Sequence, residues 1–214
     1  MLDLFAVHGL FDLSYLRCIP NSIIMQPKDE DELQDMMATG INSGSPNFIR
    51  YPRGEGVGVK RKEKPALLEL GKAEVIQKGT QCAIWAIGDF VQSAQFIADQ
   101  LKTKFGIEIT VVNARFIKPI DEKLLLEHAR THESIITFED NVLMGGFGSH
   151  ILETLEKNQI STSVKRFGWP DRFVEHGNSV EELRSKVGLD KKSLLAAVEE
   201  HLSVNDQIAT PIFA

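Results

Sequence analysis

From residue 81 onward the chain alternates short apolar runs with segments of helical period: QCAIWAIG, DFVQSAQFIADQLKTKFG, IEITVV, DEKLLLEHART, SIITF, SHILETLEKN and SVKRF. Strands covered on both faces read as continuous apolar runs, and parallel strands need crossovers, usually helices, between them. The alternation predicts an α/β domain, a mostly parallel sheet with helices on both faces. In the first helical segment Phe90, Val91, Ala94, Ile97, Ala98 and Leu101 fall on one face, and Gly106 is the expected stop. Two more helices are expected, one after Ser179 with Glu182 as capping-box partner and one from Asp190 to Leu202.

The first fifty residues hold one further unit of the same kind. SIIMQP is an apolar run closed by Pro27, DEDELQDMMATGI carries Leu33, Met36, Met37 and Ile41 at helical spacing, and NFIRY is a second apolar run. Asp29 and Glu32 form a capping box at the helix start. Between residues 54 and 79 the pattern breaks: Gly54, Gly56, Gly58, Pro65, Gly71 and Gly79 surround the basic cluster Lys60, Arg61, Lys62 and Lys64. Such punctuation reads as a solvated linker between domains, with a short strand in ALLELGKAEVI. The tail NDQIATPIFA has no readable period.

Composition narrows the class. With 214 residues and 43% hydrophobic content the chain can bury a real core. A formal net charge of -6 offers no extended basic surface, so nucleic acid is not an expected partner. Two cysteines, Cys18 and Cys82, make no disulfide framework, and Cys82 lies inside an apolar run as a small hydrophobe. No apolar stretch approaches the roughly 20 residues a spanning helix needs, so neither a membrane nor a secretory route is expected and the setting is read as cytoplasmic.

Three constellations could carry chemistry, since ligands of parallel sheets bind outside the carboxyl ends of the strands. In RYPRGEG, Arg53 offers a planar donor fork beside glycines that let a phosphate or carboxylate approach; an exposed arginine beside an ordinary turn is the plainer alternative. In FEDNVLMGGFGSH, Glu139 and Asp140 precede Gly145, Gly146 and Gly148 and a helix start at Ser149. Free amides there favour anions, but the glycine spacing is not that of a dinucleotide loop, and a tight turn packing the helix on the sheet is the better reading. His128 and His132 lie four apart on a helix, yet no third ligand of convincing spacing completes a metal site. His150, His176 and His201 read as surface or interface histidines, and no G-x-S-x-G, H-E-x-x-H or C-x-x-C occurs.

The runs GLFDLSYLRCIPNSIIMQPKDEDEL, NFIRYPRGEGVGV, NARFIKPIDEKLL, TFEDNVLMGGFGSHILE and GWPDRFVEHG, in that order, resemble the 1-deoxy-D-xylulose-5-phosphate synthase family over residues 8 to 202. These are thiamine diphosphate enzymes related to transketolase, which join pyruvate, after decarboxylation, to glyceraldehyde 3-phosphate for isoprenoid and thiamine biosynthesis. The resemblance implies that residues 1–58 are the end of the pyrimidine-binding domain, 59–79 a linker, 80–204 a transketolase C-terminal domain and 205–214 a tail. It implies that Arg53 grips the substrate phosphate. Asp3 and His8 can be placed on active-site positions, while Val7 falls where a substrate-contacting histidine is usual.

The domain that binds the diphosphate and its magnesium, and the glutamate that activates the cofactor, have no counterpart in these residues. The expectation is a chain with no catalytic or metal-ligating residue of its own, silent in isolation. It would be a fragment from a truncated or rearranged reading frame, or a half-enzyme whose missing domains sit on another chain. A non-catalytic association or dimerisation module, a homo-oligomer, is the alternative from another class. A beta-type subunit of a 2-oxoacid dehydrogenase shares the architecture, but YLRCIPN, RYPRG and PDRFVEHG fit the synthase better.

Overall fold

The computed structural model describes residues 9–52, 55–174 and 179–209, with side chains described as far as residue 202. A short helix α1 (Asp12–Leu16) leads into strand β1 (Ile23–Met25), helix α2 (Glu30–Asn42) and strand β2 (Asn47–Ile49). An antiparallel strand β3 (Glu74–Gln77) opens the second unit. It continues with β4 (Cys82–Ala86), α3 (Phe90–Phe105), β5 (Thr110–Asn113), β6 (Phe116–Lys118) and α4 (Glu122–Thr131). Then come β7 (Ser134–Val142), α5 (Phe147–Lys157), β8 (Ser163–Trp169), α6 (Val180–Lys186) and α7 (Lys191–Ala209).

The main sheet has the order β3-β5-β4-β7-β8, in which β5, β4, β7 and β8 run parallel and β3 is the antiparallel edge. Alternation along the central strand separates two cores. Cys82, Ile84 and Ala86 face one side, packed with α3 and α7 through Phe90, Ile97, Leu101, Leu194 and Val198. Ala83, Trp85 and Ile87 face the other, packed with α4 and α5 through Leu125, Phe147 and Ile151. Helices therefore cover both faces, as the apolar runs predict. Cys82 is fully buried, and burial pushes its thiol up to about 12, so it packs and does not react.

Caps follow the sequence. Asp29 accepts from the Glu32 N–H at 2.8 Å, Ser179 accepts from the Glu182 N–H at 3.1 Å, and Gly106 ends α3 at φ 69°, a left-handed turn that glycine enters without a Cβ clash. Several boundaries differ from expectation: β7 runs past SIITF to Val142 and β8 past SVKRF to Trp169. Helix α5 starts two residues earlier than Ser149, α7 continues beyond Leu202 to Ala209, and β6 is a strand the sequence hides in three residues.

Strand β6 ties the two units together. It pairs antiparallel with β1, giving a three-stranded sheet β2-β1-β6 whose first two strands are parallel. Beside it lies a buried polar joint. Glu32, 3% exposed at its side chain, accepts from Arg115 Nε at 2.6 Å, Asn113 Nδ2 at 2.8 Å and the Lys28 N–H at 2.8 Å. Glu74 pairs with Arg115 at 2.9 Å and with Lys28 at 3.1 Å. Two cations thus face two carboxylates, and Arg115 adopts φ +58° to reach them, a conformation that costs a non-glycine residue energy and persists where its surroundings fix it.

The stretch read as a solvated linker is strapped onto α2. The Glu30 carboxylate accepts from the N–H groups of Val57, Gly58 and Val59 at 3.0, 2.6 and 2.9 Å. Asp31, Asp35 and Thr39, four apart on one helical face, accept from Lys62, Ala66 and Leu68 at 2.7, 2.7 and 2.8 Å. Lys62 also pairs with Asp31 and Asp35. Lys60, Arg61 and Lys64 remain exposed as expected; the backbone between them is docked.

Candidate functional site

Arg53, Asp3 and His8, the positions singled out by the resemblance, lie outside the described residues, as does His176. What is described is the chain that follows His8 and the residues that flank positions 53 and 54. At the carboxyl ends of β2 and β7 a chain of alternating charges crosses from one unit to the other. Arg50 pairs with Asp12 through Nε at 3.2 Å, donates from Nη2 to the Gly9 carbonyl at 2.7 Å and faces Asp140 at 3.5 Å. Asp140 accepts from the Trp169 indole at 2.7 Å and pairs at 3.2 Å with Arg184, which reaches Asp89 at 2.7 Å and lies over the Phe90 ring. Burial alone would raise the Asp140 pKa; the Arg184 and Arg50 guanidiniums outweigh it and hold the carboxyl below its usual range.

The glycine-rich loop resolves in favour of packing. The helix start that could have drawn an outside anion is filled from within: Glu139, fully buried on β7, accepts from the N–H groups of Phe147 and Gly148 at 2.6 and 2.9 Å. A Cβ at Gly146 would collide with that carboxylate, so the glycine is needed for the close approach. Burial pushes Glu139 up to about 7 against the two amide bonds and the nearby Arg166 and Arg17. The segment around α1 docks on the same loop, with Ser14 Oγ donating to the Met144 carbonyl at 2.6 Å and Arg17 bridging to Gly146 at 3.0 Å.

The histidine pair has structural work. Trp85 Nε1 donates to His128 Nδ1 at 3.2 Å, and His132 Nε2 lies 2.8 Å from Thr110 Oγ1. Among the described residues no group of three or more His, Cys, Asp or Glu side chains gathers as around a metal ion. Burial, with His132 beside it, pushes His128 down to about 4. Between about pH 6.5 and 4 the unfolded chain therefore binds the proton that the native chain refuses, and the stability contributed by this group is lost as pH falls through that window. In His128→Gln this part of the acid destabilisation is expected to disappear, read as a flatter midpoint-against-pH curve in urea. An unchanged acid slope would show that His128 is not the titrating group.

Sequence reasoning missed the Arg50, Asp140 and Arg184 chain and the Glu32 joint. The signal that could have found the first is the second carboxylate after the apolar run SIITF, Asp140, a charge at the end of a buried strand that must meet a partner.

A mostly parallel sheet of this topology, covered by helices on both faces and tied by β6 to a strand-helix-strand unit, is the architecture of transketolase-type chains, and the chain belongs to that family of thiamine diphosphate-dependent enzymes. Residues 71–194 match the transketolase C-terminal domain and residues 3–57 match the transketolase pyrimidine-binding domain. More particularly, it is 51% identical over 198 residues to the 1-deoxy-D-xylulose-5-phosphate synthase of Syntrophus aciditrophicus strain SB, covering 92% of this chain and 30% of that protein. The synthase of Acidobacterium capsulatum is 45% identical over 196 residues, 92% of this chain and 31% of the relative. The chain thus spans about three tenths of these relatives and corresponds to a C-terminal portion. A solved split-gene transketolase, described as an inactive beta4 tetramer, superposes with a TM-score of 0.79 at 30% identity, covering 92% of this chain and 63% of that one. Among the described residues no helix is long and apolar enough to cross a membrane.

Proposed function

We propose that this chain is the C-terminal part of a 1-deoxy-D-xylulose-5-phosphate synthase, that Arg53 grips the phosphate of glyceraldehyde 3-phosphate, and that the chain is catalytically silent by itself. The observation that carries the reading is 51% identity over 92% of the chain to a protein of that name, with both family matches in the family's order. Asp3 and His8 are proposed as remnants of the same site. The domain division stands as a proposal in the same terms: 1–58 from the pyrimidine-binding domain, 59–79 a linker, 80–204 the C-terminal domain and 205–214 a tail.

The described residues do not fit the cofactor. No three ligating side chains converge for magnesium among them, and the helix N-terminus that could have met a diphosphate is taken by Glu139. The chain's contribution is to bind and orient the triose phosphate while the diphosphate and its metal are held elsewhere, on more of the same polypeptide or on a second one. The likeness to a split-gene transketolase supports the second arrangement. A cytoplasmic setting follows from the same reading.

The test is an assay for deoxyxylulose phosphate from pyruvate and glyceraldehyde 3-phosphate, with this chain alone and with the remaining length of a relative added as a separate polypeptide. Product is expected only from the mixture. No product from the mixture, with both polypeptides folded and associated, counts against the reading.

A further inference from the structure

One guanidinium fastens both segments that lead to the proposed substrate residues. Arg50 takes the carbonyl of Gly9, the residue after His8, at 2.7 Å, and its own N–H donates to the Met25 carbonyl at 2.9 Å, which fixes the exit of β2 three residues before Arg53. Residues 9 and 50 are thereby joined across 41 positions of sequence. The third side of Arg50 meets Asp140, a residue of the C-terminal domain, at 3.5 Å. Asp140 already has an indole donor in Trp169 and a cation in Arg184, so its contact with Arg50 adds a tie between units. Arginine suits the place because its rigid fork can serve two carboxylates and a carbonyl in different directions, which an ammonium on a flexible stem cannot do with the same precision.

We propose that Arg50, held by Asp140, is a positioning residue for the triose-phosphate grip, so that the C-terminal domain sets the geometry of a site to which it contributes no reacting group. The role rests on the reading of Arg53 given above. A gripping group displaced by about 1 Å can lose about 10²-fold in rate, which is why a fixed strand exit matters. Asp12 completes the frame by pairing with Arg50 from α1, and Asp89 anchors Arg184 from the far side at 2.7 Å.

Two measurements on the full chain separate the tie from the grip. Amide exchange in Asp140→Asn is expected to quicken about tenfold at residues 10–12 and 50–51 relative to Asp89→Asn, which disturbs Arg184 but leaves Arg50 and Asp140 together. Arg50→Lys should quicken the same amides. Titration with glyceraldehyde 3-phosphate should then show weaker binding in Asp140→Asn, about fivefold or more, with Asp89→Asn near the unaltered chain. Equal exchange in Asp140→Asn and Asp89→Asn overturns the tie whatever the ligand does. Faster exchange with a triose-phosphate affinity that does not respond to Arg53→Met overturns the grip, and with it the positioning role, while the tie stands.

Discussion

Replacing Glu32 by alanine is expected to cost about 3–5 kcal/mol of unfolding free energy, the usual penalty for breaking a buried ion pair by removing one partner. The side chain is 3% exposed and accepts from Arg115, Asn113 and the Lys28 N–H, so its loss strands a guanidinium, an amide and a backbone donor in one place. Glu74 still faces Arg115 at 2.9 Å, which keeps the cost toward the lower end. Glu32→Gln, which keeps an acceptor but not the charge, should cost about 1–3 kcal/mol, the scale of a hydrogen bond to a charged group. Urea unfolding reads both. Because the joint spans α2, β3 and the loop before β6, the alanine variant should also let the two units unfold at separate midpoints. A cost below about 1 kcal/mol would mean that β6 pairing alone holds the units together.

Glu139→Ala is the second large effect, about 2–4 kcal/mol, since it leaves the N–H groups of Phe147 and Gly148 buried without an acceptor, each worth about 1–3 kcal/mol. The pH dependence runs opposite to that of His128. With its pKa raised from about 4.5 to about 7, native Glu139 keeps a proton that the unfolded chain releases, so its contribution is present below pH 4.5 and lost as pH rises through 7. Glu139→Gln, which mimics the protonated acid, should remove that decline between pH 5 and 8. A decline as steep as in the unaltered chain would place the titration elsewhere.

Much of the fold is legible in the residues themselves. The apolar runs CAIWAI and SIITF and the one-sided helices between them specify a sheet covered on both faces, and the caps at Asp29, Ser179 and Gly106 stand where their residue types favour them. What stays hidden depends on long-range pairing. Strand β6 has three residues between Arg115 at positive φ and a proline, and nothing local says that its partner is β1, more than ninety positions away. The strap over α2 looks like a free linker because its bonds run from backbone N–H groups, which sequence does not mark, to carboxylates that read as solvated.

The candidate site divides in the same way. Glu139, Asp140 and the glycine run are visible as a constellation, but their use is decided by burial: Glu139 turns inward to cap α5 and Asp140 turns toward two guanidiniums. Arg50 gives no sign of its role in the sequence, because neither residue type nor position distinguishes a tie from a grip. Only the distances to Gly9, Asp12 and Asp140 do so.

We propose that these residues alone form no cofactor cleft of the transketolase kind, and calorimetric titration of the purified chain with thiamine diphosphate and magnesium tests this most directly. No heat beyond dilution is expected, up to millimolar cofactor. Saturable binding with about one site per chain would contradict it.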